Sequence, residues 1–69
     1  MALHVAIEQA LHQHFGGATQ RGLRQRLRRL IRAGGDVRQV RHPIAMTATG
    51  RQRLALLAHA VETARQERP

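Results

Sequence analysis

Apolar residues recur along the chain with helical spacing in three places. Between Leu3 and Phe15 they fall at Leu3, Ile7, Ala10, Leu11 and Phe15, with Val5 and Ala6 widening the stripe. Gly16-Gly17 follows, and glycine takes the left-handed conformation that a helix C-cap often needs. The second run is Leu23, Leu27, Leu30 and Ile31, at i, i+4, i+7 and i+8. Thr19 stands just before it as the expected N-cap, its hydroxyl able to accept from a free first-turn N–H. Gly34-Gly35 repeats the stop signal, which predicts a helix over Thr19–Ala33. The third run, Leu54, Leu57, Ala58 and Val61, marks a last helix with Thr49 as its expected cap. Leu56, Ala60 and Ala64 make that helix apolar over more than half its circumference.

Between the second and third helices the period changes. Ile44, Met46 and Ala48 alternate with Ala45, Thr47 and Thr49, as in a half-buried strand. Asp36–Arg41 tolerates extended structure, and Pro43 suits a hairpin tip because it removes a ladder donor. A β-hairpin over 36–48 is expected, although Val37 and Val40 fall on opposite faces of such a strand. The expected core is Ile7, Leu11, Phe15, Leu23, Leu27, Leu30, Ile31, Met46 and Leu54. The fold class is mainly α with a small hairpin: helix-turn-helix, two-stranded wing, C-terminal helix, in one domain over 1–69.

A chain of 69 residues buries only about 60% of the surface that its unfolded form exposes. With no cysteine, neither a disulfide nor a zinc–thiolate site can add stability. Oligomerisation is the remaining common device, so a homodimer is expected, with Leu54, Leu57 and Val61 of the broad last helix at its seam.

The order of elements resembles the winged helix-turn-helix regulators of the MarR and PadR kind. The residues that carry the resemblance are Thr19, LRQRLRRLIRAGG at Leu23–Gly35, then DVRQV, HPIAMTATG and RQRLALL. It implies a recognition helix over Thr19–Ala33, a wing on the flanking backbone, and a role as a DNA-binding transcriptional regulator, a repressor in the first instance.

Charge points to the same class of partner. All twelve basic residues are arginine, the net charge is +8 and the sequence pI is near 12.0. Such a balance argues for a polyanionic partner, either nucleic acid or an anionic membrane surface, and against an acidic DNA mimic. Aromatic content of 1%, with Phe15 alone, argues against single-strand binding by base stacking. Arginine can bond guanine bidentately and glutamine can do the same with adenine. Thr19, Gln20, Arg21, Arg24, Gln25 and Arg28 are therefore the candidate reading residues on the second helix. Arg38, Arg41 and His42 sit where a wing would touch phosphate. Arg51 and Arg53, at the unfavourable end of the last helix's macrodipole, are further candidate phosphate contacts. The plainer alternative is an arginine face kept for solubility. A second function class is an accessory or phage-type inhibitor that docks on a host protein through the last helix.

Other chemistries have little support. His4, Glu8 and His12 share one helix face, but a tight zinc site needs a third or fourth ligand from elsewhere, and Glu8 pairing with the histidines is the simpler expectation. Four scattered acidic residues and no serine or cysteine leave no catalytic constellation, and neither GGAT nor AGGD matches a P-loop. No cofactor or metal is expected. The chain lacks a signal-peptide pattern and a bilayer-length apolar run, which leads to a cytoplasmic expectation with no membrane partner.

Overall fold

The computed structural model describes residues 2–67. Three α-helices run in order, α1 (Leu3–Phe15), α2 (Arg21–Arg32) and α3 (Ala48–Gln66). Single 3-10 turns over Ala18–Gln20, Val37–Gln39 and Pro43–Met46 occupy the connections. The long α3 packs most extensively on α1 and also receives the two turns that follow α2. No helix among the described residues is long and apolar enough to cross a membrane.

The β-hairpin expected over 36–48 is absent: no strand occurs among the described residues, and the segment is two consecutive 3-10 turns. Each is fastened by the side chain that begins it. Asp36 Oδ1 accepts from the Arg38 N–H at 2.9 Å, and His42 Nδ1 accepts from the Ile44 N–H at 3.1 Å. A 3-10 turn repeats every three residues, so Val37 and Val40 come to the same side. Both are buried, at 2% and 6% exposure. The parity conflict of a strand is thereby removed. A lone two-stranded ribbon would in any case be marginal in water.

The core collects Ala10, Leu11 and Phe15 from α1, Leu23, Leu27 and Ile31 from α2, Val37 and Val40 from the turn, and Leu54, Leu57 and Val61 from α3. Ile7 and Leu30 pack at its edge. Met46, expected inside, is 79% exposed, because a turn rather than a strand carries it. The residues proposed for a dimer seam, Leu54, Leu57 and Val61, are at most 4% exposed within their own chain. They are closed inside the protomer and offer a second copy nothing.

The helix ends differ from expectation in instructive ways. Thr19 lies exposed inside the first 3-10 turn, and α2 begins at Arg21 with Gln20 at its N-cap position making no side-chain cap bond. Thr47, not Thr49, caps α3: its Oγ1 accepts from the Gly50 N–H at 2.9 Å. The C-terminus of α2 closes as the glycine pair suggests. Gly34 has φ of 78°, its N–H donates to Ile31 O at 3.0 Å, and the Gly35 N–H donates to Leu30 O at 2.8 Å. These are the two bonds of a Schellman motif. Gly16 and Gly17 do not repeat it, since both have negative φ. The last carbonyls of α1 are satisfied by arginine instead.

Candidate nucleic-acid interface

Two guanidinium groups close the end of α1. Arg24 Nη1, from α2, donates to Phe15 O and Gly17 O, each at 2.7 Å. Arg53 Nη2, from α3, donates to His14 O at 2.7 Å, and its guanidinium lies 5.0 Å from the centroid of the buried Phe15 ring. A third, Arg65 Nη2, reaches Ile31 O near the end of α2 at 3.0 Å. Cations at helix C-termini meet the negative end of the macrodipole, and a charged donor satisfies carbonyls that have no partner within the helix. Three arginines therefore join the helices to one another.

Two more are ion-paired. Arg28 grips Glu8 of α1 through Nε at 2.6 Å and Nη2 at 2.8 Å, the fork-on-carboxylate geometry peculiar to arginine. Hydrogen bonding from Arg28 holds the Glu8 carboxyl below its ordinary value, and the same bond raises the Arg28 guanidinium. Glu8 thus pairs with Arg28 and not with His4 or His12. Arg38 binds Asp36 through Nε and Nη2, and this bond, with the Arg38 backbone N–H, lowers the Asp36 carboxyl.

The sequence-derived reading face accordingly divides. Arg24, Arg28 and Arg53 are engaged by partners within the chain, and Arg38, though exposed, is paired with Asp36. Gln20 and His42 are half-buried, and the His42 Nδ1 is occupied by its turn. Thr19, Arg21, Gln25, Arg41 and Arg51 remain exposed. With 3.6 residues per turn, Arg21, Gln25, Arg29 and Arg32 share the face of α2 opposite Leu23 and Leu27. Arg21, Arg29 and Arg32 have no hydrogen-bond or ion-pair partner among the described residues. They form a stripe about 16 Å long. Gly22 lies within it, and a Cβ placed there would meet nothing within 4 Å.

Arg29 is absent from the positions that the sequence places on the outward face of this helix, which include Arg32, although the helical wheel marks it. Arg24 and Arg28 flank the apolar stripe on the side of Ile31, where a neighbouring helix can reach them. Arg29 and Arg32 point away from it. The capping roles of Arg53 and Arg65 depend on contacts 39 and 34 positions distant, which no local pattern reveals.

The remaining surface offers less. Among the described residues, no group of three or more His, Cys, Asp or Glu side chains gathers in a metal-binding arrangement. Beside Met46, the exposed large apolar residues are Leu56 at 50% and Val5 at 38%. No protein-family model, curated protein or solved structure shows significant similarity to this chain.

Proposed function

We propose that this protein binds double-stranded DNA, laying the outer face of α2 in the major groove, and acts as a small transcriptional regulator. The observation that carries the reading is the unpartnered stripe of Arg21, Arg29 and Arg32 around Gln25. The fold employs other arginines as internal donors, yet leaves these three facing water on one helix face. A set of like charges on one face destabilises a protein by self-repulsion unless a polyanion meets it.

Helix dimensions favour the B-form groove. An α-helix with side chains is about 10–12 Å across and the major groove about 12 Å wide. The deep, narrow major groove of A-form RNA does not admit it. Single strands are disfavoured because Phe15, the lone aromatic, is fully buried and gives bases nothing to stack on. The first turn of α2 contains no acidic residue and has no side-chain cap, so its positive end adds to the attraction for phosphate. Gln25 between Arg21 and Arg29 supplies base-edge donors and an acceptor. A regulator of this kind acts in the cytoplasm.

Selection from a randomised duplex pool, followed by fluorescence anisotropy on the enriched sequence, tests the proposal. The expected result is an enriched motif bound with strong salt dependence, and weaker binding to single strands and RNA duplex of the same sequence. A palindrome would indicate that two copies bind together. Equal affinity for every nucleic acid would reduce the stripe to a general phosphate grip, and no duplex binding at low salt would overturn the proposal.

A further inference from the structure

The two flanks of the α2 stripe are not equivalent. Arg26 and Arg28 project to opposite sides of it, as their positions on a 3.6-residue helix require. On the α1 side Arg28 is paired with Glu8 through two hydrogen bonds, so its charge is cancelled and two of its nitrogens are occupied. On the other side Arg26 Nη1 donates to the backbone oxygen of Arg41 at 2.9 Å. That acceptor is neutral, so Arg26 keeps its full charge and holds a second cation beside it. The Arg41 side chain is exposed and has no partner among the described residues.

Arg41 is held in place from both directions along the chain. Val40 before it is buried, and the Val40 N–H donates to Val37 O at 3.2 Å. His42 after it caps the next turn through Nδ1, and Pro43 fixes the backbone at the first position of that turn. Arg38, the other cation of this segment, is paired with Asp36 and contributes little net charge.

We infer that Arg26 and Arg41 form a second row of phosphate contacts along one edge of the groove that α2 enters, whereas the Glu8–Arg28 flank makes none. The inference rests on the reading of α2 as the DNA-contacting face and adds the polarity of the grip. A pre-set turn with a tethered arginine takes the backbone-positioning role. Because such contacts carry no sequence information, they orient the protein on the duplex without reading it. Phosphates contacted by this row belong to one strand, so the footprint of a single copy is lopsided.

The test compares full-length wild type with Arg41→Gln and Arg29→Gln by anisotropy across a salt series, with phosphate-ethylation interference on each strand. The bond from Arg26 uses the Arg41 backbone oxygen, so the Arg41→Gln substitution leaves it in place. Arg41→Gln is expected to weaken binding uniformly across sequences and to make the log–log salt slope shallower by about 0.9. Interference from this row is expected on one strand only, and is reduced in Arg41→Gln, where Arg26 alone remains to make it. An unchanged slope and footprint in Arg41→Gln, with Arg29→Gln impaired, overturns the second row while the α2 reading stands. Symmetric interference on both strands of a singly bound duplex overturns the lopsided grip. Failure of the wild type to bind duplex DNA overturns both readings.

Discussion

Replacing Arg53 by alanine removes one of the two clamps on the end of α1. The substitution deletes a charged donor held 2.7 Å from His14 O and the cation 5.0 Å from the Phe15 ring centroid. A hydrogen bond to a charged group contributes about 1.5–3 kcal/mol. The low end applies here, because water can reach a carbonyl at a helix end. The cation–π contact at a half-exposed site adds about 0.5–1 kcal/mol. Together they predict a loss of about 2–2.5 kcal/mol, a large share of the roughly 3–10 kcal/mol expected for a domain of this length. At about 4–8 °C per kcal/mol the melting temperature falls by roughly 8–20 °C. Thermal denaturation followed by circular dichroism measures it, with Arg51→Ala as the control. Arg51 is exposed and has no partner among the described residues, so its removal shifts stability by no more than about 0.5 kcal/mol. Arg53→Lys, which keeps the charge but loses the planar fork, falls between. A melting temperature for Arg53→Ala within a few degrees of wild type refutes the clamp. So does an equal fall in Arg51→Ala, which would attribute the effect to net charge.

Glu8→Gln removes a carboxylate whose folded-state value lies below its ordinary 4.5. The stability it contributes is present above that pH and lost as pH falls through the folded value. Melting temperature plotted against pH should therefore lose less on the acid side in Glu8→Gln than in wild type; parallel curves would show that the pair contributes nothing. Gly50→Ala should destabilise, because the new Cβ would collide with the Ile44 carbonyl oxygen and lie 2.6 Å from Thr47 Oγ1. Overpacking of about 1–3 kcal/mol outweighs the helix-propensity gain of about 1 kcal/mol, and a more stable variant in urea denaturation would contradict this. Gly22→Ala should act with opposite signs on two readouts, stabilising α2 by about 0.4–1 kcal/mol while weakening duplex binding. Undiminished affinity would remove Gly22 from the contact face.

The helices were legible because burial imposes their period. Leu3–Phe15 follows from its apolar spacing to the residue, and the Leu23, Leu27, Ile31 stripe faces the core as that spacing requires. The 36–48 segment misled because alternation at Ile44, Met46 and Ala48 mimics a strand over a few residues. Its true character lay in Asp36 and His42, which each cap an N–H two residues on, and in the i, i+3 spacing of Val37 and Val40. Thr47 and Thr49 are equally good caps by residue type. Only the close approach of Gly50 to the preceding turn selects Thr47. For the site, arginine content was visible but its allocation was not. Whether a guanidinium meets water, a carboxylate or a distant helix carbonyl depends on the tertiary arrangement, and Arg24, Arg28 and Arg38 were resolved only there.

The division of the arginines into internal clamps and an outward stripe is tested most directly by the salt dependence of duplex binding in the Arg21→Gln/Arg29→Gln/Arg32→Gln variant. Its melting temperature is measured alongside. The expected result is a log–log slope shallower than wild type by about 2.7, at about 0.9 per phosphate contact, with a melting temperature equal to wild type or higher. An unchanged slope, or a collapse of the fold on losing these three side chains, contradicts the division.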